Sequence, residues 1–403
     1  MIQIYPNIEY SEKSPYDGGK LVPKKVLWQG IHTCVEALCE KSGQTVIVDL
    51  PVGHAVTFPC IVNPSTKEIF CLSKVKKWLG IPLLQSINVP NIRQIPLTIE
   101  KFKPYSDVVI LNCIDSYYGH ALLKLFNAGR HLDRDAELGL IVIVQKNLRW
   151  LVPEGVAEIW SVDIPLSQGE HYYPSLDEQI HGECRRFGKI FVSKAYSHPE
   201  VSDISRFSRI QTHDHRQKDY RISFVWRNDR PWIDNIYVIE ALKRLGLLGP
   251  LLILQNKKIQ KLFKKLRTKL PHARYTVVGL GTQTVFPSWI EDLRVKEISA
   301  DMERTMCQVY SESKVIIGVH GSNMLLPSAH SGMTVDLMPS DRWSNIAQDI
   351  VYQESDVRLS SFRYRLIPIS TAITLLAKIV TLQVEEFDFF RQQMRHEPDT
   401  KTH

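Results

Sequence analysis

No stretch of this chain approaches the ~20 consecutive apolar residues that a membrane-spanning helix needs. The opening MIQIYPNIEYSEKSPYDGG lacks the apolar segment of a secretory signal, so none is expected. No two cysteines form a CxxC pair. Cys34, Cys39, Cys60, Cys71, Cys113, Cys184 and Cys307 are odd in number and scattered, which argues against a disulfide framework or a cysteine zinc site and fits reduced, buried thiols. A cytoplasmic protein is expected, at most touching the inner face of a membrane. An excess of one charge is also scarce. Fifty basic against 43 acidic residues leave a net charge of +7. That suits anionic ligands such as nucleotides, phosphates or acidic headgroups. It is too small for a nucleic-acid binder, and no recognition motif for one is present. There is no internal repeat and no low-complexity segment.

What is present is an ordinary globular balance, 44% hydrophobic and 23% charged, over 403 residues. That length is too great for one core, so two domains are expected. Residues 46–50 (VIVDL), 107–111 (DVVIL), 139–144 (GLIVIV) and 158–162 (EIWSV) read as buried strands, and 120–128 (HALLKLFNA) has helical spacing. Strands alternating with helices imply a parallel βα sheet. Residues 1–19 are punctuated by Pro and Gly and read as surface chain. Residues 201–220 are polar and read as a solvated linker. A second βα series follows: strands at 221–226, 251–254, 274–278 and 314–318, and helices at 233–245, 257–266 and 301–313. The expected division is 1–200, linker 201–220, 221–370, and a C-terminal helix in 371–403 that packs back across both domains. The fold class is α/β, two βα domains across a cleft, with ligands beyond the carboxyl ends of the strands.

The most informative stretch is VIIGVHGSNMLLPSAHSGMTVDLMP, residues 315–339. A strand apolar on both faces ends at His320, where such sheets bind ligands. Gly321, Ser322 and Asn323 then turn the chain into a helix over 323–329, whose free N–H groups suit a phosphate. The plainer alternative is a structural histidine beside a turn glycine. In FVWRNDRPW, residues 224–232, Arg227 and Arg230 stand at another strand mouth and could meet diphosphate oxygens; a surface pair of Arg227 with Asp229 or Asp234 is the alternative. His120, after DSYYG, could take a proton, with Asp115 as rival base or orienting group; a capping role is the alternative.

The 315–339 stretch closely resembles the C-terminal signature of glycosyltransferase family 61, which reads G-x-H-G-A/S, an apolar helix, then G-x-x-V-x-E/D-L. KEISADMERTMCQVYSESKVIIG, residues 296–318, resembles that family's lead-in. SYYGHALLKLFN, residues 116–127, is similar to its N-Y-G-H-x-L-x-D element, with Ser116 near the usual Asn and Lys124 where an acid is common. The resemblance covers about a third of the chain. It implies a GT-B fold of two Rossmann-like domains, and inverting transfer of a sugar from a nucleotide-diphosphate donor without an obligatory metal.

Lesser candidates complete the expected donor site. Gly279, in VVGLGTQ (residues 277–283), could allow close approach of a nucleobase, though a plain turn explains it as well. Glu297 could hold ribose hydroxyls or simply face solvent. His198, His213 and His215 with Asp203 and Asp214 fit no standard metal spacing. No acidic DxD pair ends a strand, so no metal and no cofactor is expected. NKKIQKLFKKLRTK, residues 256–269, reads as a solvated helix face, with a membrane-surface role as the alternative, suited to a lipid-linked acceptor. The expected function is a metal-independent inverting glycosyltransferase acting on a glycan, polysaccharide or lipid-linked acceptor. The alternatives are a nucleotide-sugar epimerase, a polysaccharide pyruvyl transferase, or a non-catalytic binding module.

Overall fold

A computed structural model describes the chain apart from residues 198, 200–202, 283, 298, 347–349, 352–353, 355 and 395–403. His198 and Gln283, both weighed above, therefore lie outside the described residues. The chain divides into two compact units, Met1–Glu200 and Val201–His403.

The first unit holds two sheets. One contains the expected parallel strands Asp107–Asn112, Gly139–Gln145 and Glu158–Val162, with Lys189–Val192 joined in parallel to Asp107–Asn112. Its edges are antiparallel: Leu97–Lys101 on one side and Ile2–Tyr5 on the other. The start of the chain is thus part of the sheet rather than surface chain, and its alternate residues Ile2 and Ile4 are buried. The other sheet corrects a second expectation. VIVDL does not belong to a parallel βα sheet. It lies in Thr45–Asp49, within an antiparallel meander that also holds Glu12–Lys13, Lys20–Gln29, His32–Cys39, Ile61–Asn63 and Glu68–Phe70. The physical reason is connection length. Only residues 40–44 separate His32–Cys39 from Thr45–Asp49, and so short a link can close a hairpin but not a parallel crossover.

The second unit holds one all-parallel sheet in the order Glu291–Val295, Arg274–Leu280, Arg221–Arg227, Ser313–Val319, Met333–Met338, Tyr364–Pro368. In chain order within the unit this is 3-2-1-4-5-6, the doubly wound Rossmann order. Residues 251–254, expected as a strand, belong instead to the helix Gly249–Arg267, continuous with the basic helix expected after them. Leu251, Leu252, Ile259, Leu262, Phe263 and Leu266 are buried from that helix at three-to-four-residue spacing. Of these, Leu252, Ile259, Leu262, Phe263 and Leu266 pack with Ile222, Phe224 and Trp226, which project from one face of the Arg221–Arg227 strand. Burying each such side chain is worth about 1.5–3 kcal/mol. The final helix, Ile373–Met394, adds Leu376, Val380, Val384 and Phe387 to this same core.

Residues 203–220, expected as a solvated linker, are partly buried, with 211–212 and 216–219 exposed. Ile204, Phe207 and Ser208 are buried around the short helix Ser205–Ser208. His213 is buried, its Nδ1 2.9 Å from the Ser311 carbonyl, and the half-buried His215 ring lies tilted 4.3 Å from the Phe387 ring. The polar composition conceals this burial, because these histidines pack against a carbonyl and a ring, with His213 Nε2 and His215 Nδ1 left without a hydrogen-bond partner.

Candidate active site

In a 3-2-1-4-5-6 sheet the chain leaves strands one and four in opposite directions, opening a crevice at their carboxyl ends. Here those strands are Arg221–Arg227 and Ser313–Val319, paired in parallel from Ile222↔Val315 to Val225↔Gly318. The residues at their ends are Arg227 and His320, both singled out from sequence. Arg227 Nη1 donates to Asn323 Oδ1, and Arg230 Nη1 donates to the His320 carbonyl at 2.7 Å. Two guanidiniums thus clasp the Gly321–Asn323 turn. Gly321 has φ +147, and a Cβ there would lie 2.8 Å from Arg227 Nη1 and 3.0 Å from Arg230 Nη1. The glycine lets the arginines close on the backbone.

The electrostatics of this turn favour an anion. Burial pushes the Arg230 guanidinium down to about 10, and the neighbouring Arg227 and Arg342 charges add to the effect. An anion bound there would relieve that crowding. Arg227 also pairs with the exposed Asp229 through Nε at 2.7 Å and Nη2, as the surface-pair alternative expected. Asn323 Nδ2 is buried and lacks a hydrogen-bond partner, a donor held where an acceptor could dock. His320 is buried, with Nδ1 2.6 Å from Asp336 Oδ2, which also accepts from Tyr364 Oη at 2.9 Å. Its ring is therefore anchored in the sheet, and its carbonyl rather than its ring reaches Arg230. The helix expected at 323–329 is a short turn, Ser322–Met324, followed by Leu325–His330. With only six residues in the α-helix, the dipole contributes little, and the arginines carry the positive field.

Three candidates stand apart. Ser322 is exposed at the tip of the turn, and Glu297 is exposed after Glu291–Val295. Gly279 has a packing reason: its φ is +122, and a Cβ would lie 2.0 Å from the Trp226 carbonyl oxygen. The neighbour that demands glycine there is the adjacent strand.

The first unit holds a second cluster. Asp115, just beyond Asp107–Asn112, is almost wholly buried. Its Oδ1 faces His120 Nδ1 at 3.4 Å and accepts from the Tyr117 N–H at 3.1 Å. Its Oδ2 faces His54 Nε2 at 3.4 Å and Lys124 Nζ at 2.9 Å. Burial pushes the Asp115 carboxyl up, but the Lys124 ammonium and both imidazoles more than reverse this and hold it well below the usual carboxylate range. Burial lowers His54 to about 4, so it is neutral at pH 7. His120 sits in the first turn of Tyr118–Arg134. Its Nδ1 is buried, yet its side chain keeps 34% of its surface exposed, so the Nε2 edge faces solvent. Asp115 Oδ1 is the carboxylate oxygen facing His120 Nδ1, but at 3.4 Å it makes no hydrogen bond with it. The ligand atoms of His54, Asp115 and His120 lie within 4.8 Å of one another, a spacing that invites a metal. Lys124 argues against one, because its ammonium already balances Asp115 from 2.9 Å and would repel a dication there.

No protein-family model matches the chain, and no curated protein matches it. Among solved structures, the dodecameric iron-containing heptosyltransferase TibC, in complex with ADP-D-β-D-heptose, aligns at 11% identity and a TM-score of 0.30, over 83% of this chain and 91% of that one. A GtfA/B complex aligns at 9% identity and a TM-score of 0.25, over 96% of this chain and 75% of that one. Overlap this slight leaves the chemistry to be read from the residues.

Sequence reasoning missed His54 and the burial of Lys124. His54 follows VIVDLPVG, a buried strand ending in a glycine before a histidine, the same local signal that drew attention to His320. Lys124 carried no such signal, because a lysine in a helix reads as solvated until its partner is known.

Proposed function

We propose that the protein is a metal-independent, inverting glycosyltransferase of GT-B type, moving a sugar from a nucleotide-diphosphate donor to a glycan, polysaccharide or lipid-linked acceptor. The observation that carries this reading is the pair Arg227 and Arg230 at the switch point of the second unit's Rossmann-ordered sheet. Planar guanidiniums match diphosphate oxygens, and the Gly321–Asn323 turn leaves room for them. In the reaction a base accepts the proton of the acceptor hydroxyl while that oxygen attacks the anomeric carbon, and the first unit offers His120 Nε2 for that role. The bond from that carbon to the donor's phosphate oxygen breaks, and the electron pair leaves with the nucleoside diphosphate. Arg227 and Arg230 meet the charge that develops there, an effect worth about 2.7–4 kcal/mol for one well-placed donor. Asp115 orients His120 and stabilises the imidazolium that forms. Lys124 supplies, next to Asp115, the positive charge that a metal would otherwise bring.

The test is a thermal-shift titration with nucleoside diphosphates and their parent nucleosides, on the native chain and on Arg230→Met. At 100 times its dissociation constant a diphosphate should add about 2.7 kcal/mol of stability. The nucleoside should add much less, and Arg230→Met should lose most of the difference. Equal shifts with nucleoside and diphosphate, or an unchanged response in folded Arg230→Met, would remove the phosphate site. Turnover of donor without any acceptor would instead favour the epimerase.

A further inference from the structure

The second unit carries an exposed apolar ridge that its nucleotide chemistry does not use. The helix Ile236–Arg244 buries only Ile239. Tyr237 is 80% exposed, and Val238 is exposed beside it. The helix is closed by its own ends rather than by neighbours. Asn235 Oδ1 caps the Val238 N–H at 3.1 Å. At the other end the Gly246 N–H reaches the Lys243 carbonyl at 3.1 Å, and the Leu247 N–H reaches the Leu242 carbonyl at 2.8 Å. That double bond pattern, with Gly246 at φ +70, fixes the turn. It holds Leu245 and Leu247 in solvent, at 68% and 54% exposure.

The next helix, Gly249–Arg267, begins directly after Leu248 and carries exposed apolar residues of its own. Ile253 and Leu254 are exposed on its first turns. Lys257, Lys261 and Lys264 are exposed further along, and at 100° per residue all five share one stripe. Residues 233–269 contain nine basic and two acidic side chains, an excess as large as that of the whole chain. Apolar side chains followed on one face by lysines form the pattern of a surface that enters a lipid headgroup layer: the aliphatic and aromatic groups sink in, and the lysines reach phosphates with their stems laid along the interface. A second copy of the chain would bring two such basic stripes together, and like charges oppose that pairing. Among the described residues no helix is long and apolar enough to cross a membrane, so the contact is superficial.

We propose that this ridge, Tyr237 to Lys264, docks the protein on an anionic membrane surface. The proposal is independent of the donor chemistry above. It is tested by co-sedimentation of the full chain with vesicles of phosphatidylcholine alone and of phosphatidylcholine with phosphatidylserine. Binding is expected to the anionic vesicles and to weaken with salt. Each lysine charge removed should reduce partitioning about fivefold. The triple change Lys257→Glu, Lys261→Glu, Lys264→Glu should therefore abolish it. The change Leu245→Ser with Leu247→Ser should weaken it at unchanged charge. No binding to anionic vesicles overturns the proposal. So does binding that both sets of variants leave intact, or a concentration-dependent dimer, or capture of an acidic protein, that these variants abolish while vesicles are ignored.

Discussion

Replacing Asp115 by asparagine tests the first unit's cluster most directly. The asparagine has the same shape and can still accept from the Tyr117 N–H. What it removes is the charge that faces Lys124 Nζ at 2.9 Å and two imidazoles at 3.4 Å. Both Asp115 and Lys124 are 1% exposed, so the ammonium is left in the interior with only the Ile114 and Ile31 carbonyls, at 2.9 and 3.4 Å. Stranding one partner of a buried ion pair costs about 3–5 kcal/mol. For a unit of this size each kcal/mol lowers the melting temperature by about 2–4 °C, so the transition should fall by about 6–20 °C. Thermal unfolding followed by tryptophan fluorescence reports on the right place, since the Trp78 ring lies 4.7 Å from that of His54. The double change Asp115→Asn with Lys124→Met removes both charges and should recover part of the loss, a coupling of about 0.5–3 kcal/mol. In either folded variant His120 loses its orienting carboxylate, and transfer should slow by roughly 10²–10⁴-fold. A melting shift below about 2 °C for Asp115→Asn, or strictly additive effects in the double variant, would refute the buried-pair account.

Other predictions follow from single features. His330 is wholly buried and neutral, lowered to about 4 from 6.5 by burial. Its unfolded form takes a proton more readily, so about 3 kcal/mol of stability present above pH 6.5 should drain away between 6.5 and 4; His330→Phe should flatten that slope in urea titrations across pH. Gly279→Ala should destabilise the second unit itself, because its Cβ meets the Trp226 carbonyl at 2.0 Å; a variant that melts normally and loses only nucleotide binding would restore the ligand role for this glycine. Transfer should persist in excess EDTA, and activity lost to chelation and restored by a divalent ion would show that the His54, Asp115 and His120 atoms hold a metal in spite of Lys124.

In the second unit the strands Arg221–Arg227, Arg274–Leu280 and Ser313–Val319 were legible from their apolar runs, while Glu291–Val295, Met333–Met338 and Tyr364–Pro368 were not read as strands. Residues 251–254 show the limit of periodicity. Four consecutive apolar residues suit a buried strand or about one helix turn equally well, and only the continuation through Ile259, Leu262, Phe263 and Leu266 decides between them. In the first unit VIVDL was legible as a strand but not as a member of a meander, since its apolar run says nothing about the direction of its neighbours. The strand order 3-2-1-4-5-6 is a tertiary fact. It nevertheless turns two local observations, an arginine after one strand and a histidine after another, into one place on the molecule.

The cluster around Asp115 shows why a motif and a site can disagree. In the pattern that SYYGHALLKLFN resembles, an acid is common on the helix at the position of Lys124, and its absence leaves that acid's role unfilled. The fold supplies a carboxylate from another element, the one already weighed as the group orienting His120. Asp115 lies five residues before His120, beyond the end of a strand, and the turn through Ser116 and Tyr117 brings its Oδ1 to within 3.4 Å of the imidazole. Lys124, one helical turn after His120, reaches back to the same carboxylate from the other side. A charge of each sign is present, as in an acid-bearing site, but the residues that supply them differ. The chemistry constrains where a carboxylate stands in space relative to Nδ1, and a strand end can place it there as firmly as the next turn of a helix. The lysine also lowers the cost of burying that carboxylate ionised, which a second acid at position 124 would have raised. The substitution that departs from the motif is therefore the one that lets Asp115 remain charged beside His120.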